Sequence, residues 1–292
     1  MISVELILLA LSPVFLAFVA WEWWRYRQVQ PVMYRWQDSL ANAVLALMHQ
    51  GGELLAVIVL MPLFIWLYQW RLFDIDLNAG TMLLAFVLQD FLYYWFHRAS
   101  HQIRWLWASH IAHHSSRQLN FSTAFRQSLT YPISGMWLFW TPMILIGFTP
   151  SIVLAVVALN LAFQFFVHTQ AVKKLGVLEY IFNTPSHHRV HHACNPRYID
   201  KNYAGVLIIW DRLFGTFTPE RADEPCRYGL TDDFASDNPI RITFYEWQNM
   251  WQDCLAAKGW HQRLRSIVGK PATKSKANKQ AHLLEKPTLD VD

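Results

Sequence analysis

Charge is scarce in this chain. Asp, Glu, Lys and Arg together make up 16% of its 292 residues while 53% are hydrophobic, a balance unusual for soluble domains of that length. Cysteine is nearly absent: Cys194, Cys226 and Cys254 count to an odd number and form no CxxC pair, so no disulfide framework holds the fold. No HExxH stretch occurs, and a zinc hydrolase would lack the general base that this motif sets beside its ligands. Neither an internal repeat nor a basic recognition motif is present. The net charge of +4 suits an anionic membrane surface and gives no reason to expect a nucleic-acid partner.

What the chain does have is long apolar runs and tryptophan, 15 in all. Leu6 to Ala20 carries no charge, lies between Glu5 and Glu22, and ends at Trp21, Trp23 and Trp24, residues suited to a membrane interface. With no basic residue before it, this run reads as an uncleaved anchor and not as a signal peptide. Leu40 to Trp70 is too long for one straight crossing, and Gly51-Gly52 is expected to divide it, leaving Glu53 to Trp70 as a span. Thr81 to Phe96 is a third run. Tyr131 to Phe148 and Ser151 to Val167 are short for full crossings, and the turn at Thr149-Pro150 makes them a hairpin within or across the bilayer. Residues 193–262 are less apolar and read as a cap with amphipathic helices. From about Ser266 the sequence turns polar and aperiodic, a disordered tail.

Histidine is concentrated as no packing requirement explains. Ten of the 13 fall between His97 and His192. His97 and His101 stand at i and i+4; His110, His113 and His114 stand at i, i+3 and i+4, as do His188, His191 and His192. On helices each group turns its imidazoles to one side. With His168 they number nine, more than the four to six ligands of one first-row metal. Two metals with open positions are expected. His187 flanks the last group as an auxiliary.

The remaining chemistry extends these groups. Asp90 lies two and three helical turns before His97 and His101 and is expected to accept the second ring N–H of a ligand. Asn160, Gln164 and His168 recur at i, i+4 and i+8, a polar stripe that leads into the site. Asn202 and Asp211 follow the last group and are expected to support it. Between the second and third groups lie two apolar segments, an even number, so the chain comes back to the side it left. Arg25, Arg27, Arg35, Arg98, Arg104, Arg117 and Arg126 lie on that side, against Arg71 alone on the other, which puts the histidines in the cytosol.

The ordered set HxxxH, HxxHH, HxxHH in an apolar chain resembles the fatty acid hydroxylase and sterol desaturase superfamily. HHSSRQLNFSTAFRQS from His113 and NTPSHHRVHH from Asn183, on through DKNYAGVLIIWDRLFGTF to Phe217, resemble its alkylglycerol monooxygenase group. That group tends to carry glutamate after the second histidine of HxxxH, where this chain has Gln102. Its particular substrate and its tetrahydrobiopterin reductant are therefore not carried over. The resemblance implies an all-α integral membrane protein with four to five transmembrane helices and a cytosolic helical cap holding a di-iron centre. Residues 1–80 would form the anchor helices, 81–262 the catalytic domain and 263–292 the disordered tail. It further implies two iron ions, dioxygen, a membrane lipid substrate (an alkyl ether lipid, fatty acyl chain or sterol) and an external electron donor. A desaturase on the same scaffold, or a haem-binding electron carrier using His97 and His168, are the alternatives. No retrieval signal stands at Asp292, which leans the expected location to a bacterial inner membrane over the endoplasmic reticulum.

Overall fold

The computed structural model describes residues 4–232 and 234–271. Among them the regular structure is helical, broken only by three isolated bridges between loops. Helix α1 (Val4–Tyr26) packs along α7 (Pro150–Phe165), where Phe15 meets the Phe165 ring at 4.4 Å between centroids. Its last turn carries Glu22, fully buried, which accepts from Tyr34 Oη at 2.5 Å, from the Phe121 N–H at 2.8 Å and from Thr169 Oγ1. A lone buried carboxylate is costly unless donors surround it, and here they tie α1 to two later segments.

The expected break at Gly51-Gly52 does not occur. Helix α2 runs unbroken from Trp36 to Tyr68, about 50 Å at 1.5 Å per residue against about 30 Å of hydrocarbon. Its surplus length at the N-terminal end is polar: buried Asp38 and Asn42 take the Arg126 guanidinium at 3.1 and 2.8 Å. The glycine pair serves packing instead. A Cβ on Gly52 would lie 2.9 Å from the Leu129 carbonyl oxygen, so the missing side chain lets the 126–131 loop press against the helix.

Helix α3 (Ala79–Gln102) starts at a capping box, in which Asn78 Oδ1 accepts from Thr81 N at 3.1 Å and Thr81 Oγ1 accepts from Asn78 N at 2.9 Å. After an extended Ile103 the chain enters α4 (Arg104–His114). Among the described residues, the stretches Pro31–Tyr68 and Ala79–Gln102 are long and apolar enough to cross a membrane. Leu54, Ile58, Ile65, Leu83 and Leu84 on them are more than half exposed, an apolar belt that the described residues do not cover.

The 131–148 run is not one helix. Pro132, Gly135, Pro142 and Gly147 divide it into α5 (Tyr131–Ser134), a 3₁₀ turn (Met136–Phe139) and α6 (Thr141–Ile146). Its far end pairs with the α2–α3 connection, Leu72 N to Leu145 O at 2.8 Å and Phe73 N to Ile146 O at 3.1 Å. The segment therefore leaves the level of α4, reaches the opposite end of α2 and α3, and α7 brings the chain back. Phe64, Phe96, Trp140, Met143, Ile144 and Val156 form the core between these helices.

Two short helices, α8 (Pro185–His191) and α9 (Ile209–Leu213), and two longer ones, α10 (Pro239–Ala256) and α11 (Trp260–Val268), follow. Helix α10 packs against α4, where Arg104 Nε donates to Glu246 Oε1 at 2.6 Å. The tail assigned from residue 263 begins too early, because Arg263 to Val268 are helical and Gly269 O accepts from Arg104 N. The rest of the expected tail, 272–292, lies outside the described residues.

Candidate metal centre

The helical phasing read from the sequence decides which way the rings point, and the tertiary contacts decide where they meet. Two groups result. His97, His101, His110, His114 and His191 form one, and His113, His168, His188 and His192 the other, with the ring nitrogens of each group within 4.8 Å of one another. All nine are at or near full burial. The groups adjoin: His114 and His192 stack with centroids 4.5 Å apart, and His113 and His114 lie at 5.5 Å.

Hydrogen bonds at the outer nitrogens set the tautomers. The Nδ1–H of His97 donates to Tyr203 O (2.8 Å), that of His191 to Lys201 O (3.0 Å), that of His113 to Arg126 O (3.2 Å) and that of His168 to Gln164 O (2.6 Å). A carbonyl only accepts, so a neutral ring that donates through Nδ1 has a bare lone pair at Nε2. His113 Nε2 faces His168 Nε2 at 3.1 Å, two lone pairs with no proton between them. His101 Nε2 and His191 Nε2 are buried with no hydrogen-bond partner among the described residues. Such an arrangement is unfavourable for the chain alone and matches what a cation between the rings would need. Burial, then the neighbouring imidazoles, pushes His110, His113, His114, His188 and His192 well below the usual histidine range. Burial brings His168 and His191 down to about 4. The rings are therefore neutral near pH 7, the form that ligates.

The auxiliary residues fall into place with one correction. Asp90 does not touch a histidine. Its oxygens accept from Asn160 Nδ2 (2.9 Å), Val206 N (2.8 Å), Leu207 N (3.0 Å) and Trp210 Nε1 (2.9 Å). The reason is that the 203–208 segment crosses α3 here and offers peptide N–H groups nearer than any ring. The stripe on α7 is continuous: Gln164 donates to Asn160 Oδ1 and receives Tyr93 Oη, while its carbonyl takes His168. Asn202 holds His187 O and Thr218 O, and Asp211 accepts from Tyr203 N, Ala204 N and Thr216 Oγ1. Both shape the loop whose carbonyls receive His191 and His97. His187 belongs to neither group; its Nε2 lies 3.8 Å from Glu179 Oε2 and its ring packs on Phe217. Gln102 donates to Asp200 Oδ2 at 3.0 Å. His97 and His168, the pair a haem would need, sit in different groups.

Residues 82–216 match the family model for fatty acid hydroxylases. The chain carries a fatty acid hydroxylase domain. It is similar to alkylglycerol monooxygenase from Danio rerio, 48% identical over 190 residues (65% of this chain, 42% of the relative), and to that from Homo sapiens, 44% identical over 211 residues (72% and 46%). An ornithine lipid hydroxylase from Rhizobium tropici is 30% identical over 170 residues (58% and 50%). The chain thus spans about half the length of these relatives. The animal proteins are more similar than the bacterial one, which runs against the leaning to a bacterial membrane. No solved structure matches the chain.

Several groups that shape the hydroxylase domain's site escaped the sequence reading. Tyr131 Oη meets His110 Nδ1 at 2.7 Å, and the carbonyls of Arg126, Gln164, Lys201 and Tyr203 orient four rings. A backbone carbonyl leaves no signature in a sequence. A cavity of about 130 Å³ reaches His101, His114, His191 and His192 from the cap side, walled by Trp107, Ile111, Asp200, Asp232 and Lys270 among others.

Proposed function

We propose that this chain is a membrane-bound, dioxygen-dependent lipid hydroxylase whose two histidine groups each hold an iron ion. His97, His101, His110, His114 and His191 would ligate one and His113, His168, His188 and His192 the other. An iron pair held there would supply the redox chemistry for putting one oxygen atom of dioxygen into a lipid C–H bond, with electrons from an external donor. The observation that carries this reading is the set of bare, inward Nε2 atoms whose rings are locked from behind by carbonyls.

The chain's own residues do the rest. Tyr203, Lys201, Arg126 and Gln164 hold the Nδ1 protons at their carbonyls, so the lone pairs are presented without rearrangement. Tyr93 and Tyr131 pack beside His97 and His110, with Phe96 against both tyrosines, and would keep bulk water from the rings. The exposed apolar faces of α2 and α3 support a site beside lipid, which a lipid chain would reach without being drawn into water. The helices before residue 81 would act as the anchor and residues 81–262 as the catalytic unit. The arginines on the histidine side support a cytosolic orientation of that side.

Two relatives at 44–48% identity are alkylglycerol monooxygenases, which makes an alkyl ether of glycerol the first substrate to test. Hydroxylation of the carbon beside an ether oxygen gives a hemiacetal that falls apart to an aldehyde and an alcohol. The similarity to an ornithine lipid hydroxylase favours a second reading, hydroxylation of an acyl chain. Mass spectrometry of lipids incubated with the iron-loaded protein, dioxygen and a reductant separates them, because a cleaved ether supports the first and a gain of one oxygen the second. A loss of two hydrogens would mean a desaturase. Iron analysis and an optical spectrum test the centre: about two irons and no Soret band are expected. Retained iron in both His113→Ala and His191→Ala would refute it.

A further inference from the structure

We propose that Asp200 is a positioning residue that makes the two metal positions unequal, strengthening the five-histidine position through His101. The proposal rests on the dinuclear reading above. Around the two groups the acceptors that face ring Nδ1 atoms are neutral: four carbonyls and the Tyr131 hydroxyl. Asp200 is the exception. Its Oδ1 lies 3.8 Å from His101 Nδ1, and among the described residues it is the one carboxylate within ion-pair distance of a histidine in either group.

Three features indicate that this carboxylate is held in place. Its backbone is left-handed, φ 61°, and among the described residues only Asn202, φ 56°, shares that state without being glycine. Strain of this kind persists where the surroundings over-determine it. Gln102, the residue after His101 and a departure from the alkylglycerol monooxygenase pattern, donates to Oδ2 at 3.0 Å and so leaves Oδ1 turned to the ring. Asp200 also begins the stretch in which the Lys201 carbonyl takes His191 and the Tyr203 carbonyl takes His97. One four-residue stretch thus faces three of the five rings.

The 3.8 Å separation exceeds a hydrogen bond, and the Asp200 side chain is 37% exposed at the cavity rim. Its charge therefore acts on His101 directly across the gap or through one water, partly screened. A carboxylate behind a ligating imidazole fixes its orientation and raises its basicity. Among the described residues the four-histidine group has no such carboxylate, and its His188 Nδ1 is buried with no hydrogen-bond partner. Stepwise removal of metal should empty that position first.

The test is a chelator titration of the purified, iron-loaded full chain, with released iron counted per chain and the thermal midpoint of the metal-free protein measured alongside. The wild type should release its irons in two steps. Asp200→Asn tolerates the left-handed backbone and keeps the shape while removing the charge. It should weaken the tighter step about tenfold, the lower end of such effects, and leave the looser step and the metal-free midpoint unchanged. Gln102→Met, which frees Asp200 without deleting it, should weaken the same step by less. A wild type that holds two irons while Asp200→Asn releases both as the wild type does would overturn the role of Asp200 alone, as would equal weakening of both steps. A wild type that holds no iron would overturn the dinuclear reading and Asp200's role with it.

Discussion

Replacing Asp90 should dismantle the site from a distance. The side chain is fully buried and receives four donors: an amide of α7, two peptide N–H groups of the 206–207 segment and the Trp210 indole. Asp90→Ala strands all four, two of them (Asn160 Nδ2 and Val206 N) fully buried and two partly so. A buried donor without a partner costs about 1–3 kcal/mol, and even with partial relaxation the loss is on the order of 4 kcal/mol. Native proteins hold only about 5–15 kcal/mol in reserve, so a fall of roughly 10 °C in thermal midpoint is expected. Asp90→Asn keeps one acceptor oxygen and should lose about half as much. Because the 203–208 segment also carries the Tyr203 carbonyl behind His97, iron content should drop with stability although Asp90 touches no ring. Thermal unfolding in detergent micelles, paired with iron analysis, measures both. An Asp90→Ala protein with the wild-type midpoint and a full metal complement would refute the reasoning.

Gly205→Ala should be nearly as damaging, since a Cβ there would sit 2.6 Å from Asn160 Oδ1 and 2.9 Å from Asp90 Oδ1; overpacking of this kind costs about 1–3 kcal/mol, visible in the same unfolding assay. The metal-free protein should be acid-labile. His168 and His191 sit at about 4 in the fold against about 6.5 when unfolded, so the unfolded chain binds more protons between those values. Stability should then fall as pH drops from 6.5 to 4, by about 1.4 kcal/mol per pH unit for each such ring; a flat midpoint across that window would contradict the burial of these rings. Cys226, its thiol pushed up to about 12 by burial and the nearby Glu220 charge, should be alkylated at pH 8 far more slowly in the native protein than in urea, as peptide mass spectrometry would read.

Much of the candidate site is legible in the sequence. Phased histidines share a helix face whatever the helix packs against, and an even number of apolar segments between the second and third groups returns the chain to its starting side. Both are consequences of local geometry, and both survive in the structure although the 131–148 segment is broken by its prolines and glycines. The stripe Asn160, Gln164, His168 needed only the 3.6-residue period. Where local rules failed, a long-range contact had overridden them: Gly51-Gly52 looked like a helix break and is instead the place where the 126–131 loop presses on α2.

The chain's own order of residues thus determined the donors, their phasing and the apolar surroundings. Only the tertiary structure decided how nine rings divide into five and four, because that depends on which ring of a phased pair meets which distant partner. His113 and His114 are neighbours in sequence, yet they point into different groups. It also decided the backs of the rings. The Tyr203 carbonyl behind His97 comes from a loop 106 residues further along the chain, the carboxylate of Asp200 comes from the same loop, and a peptide oxygen looks the same at every position of a sequence.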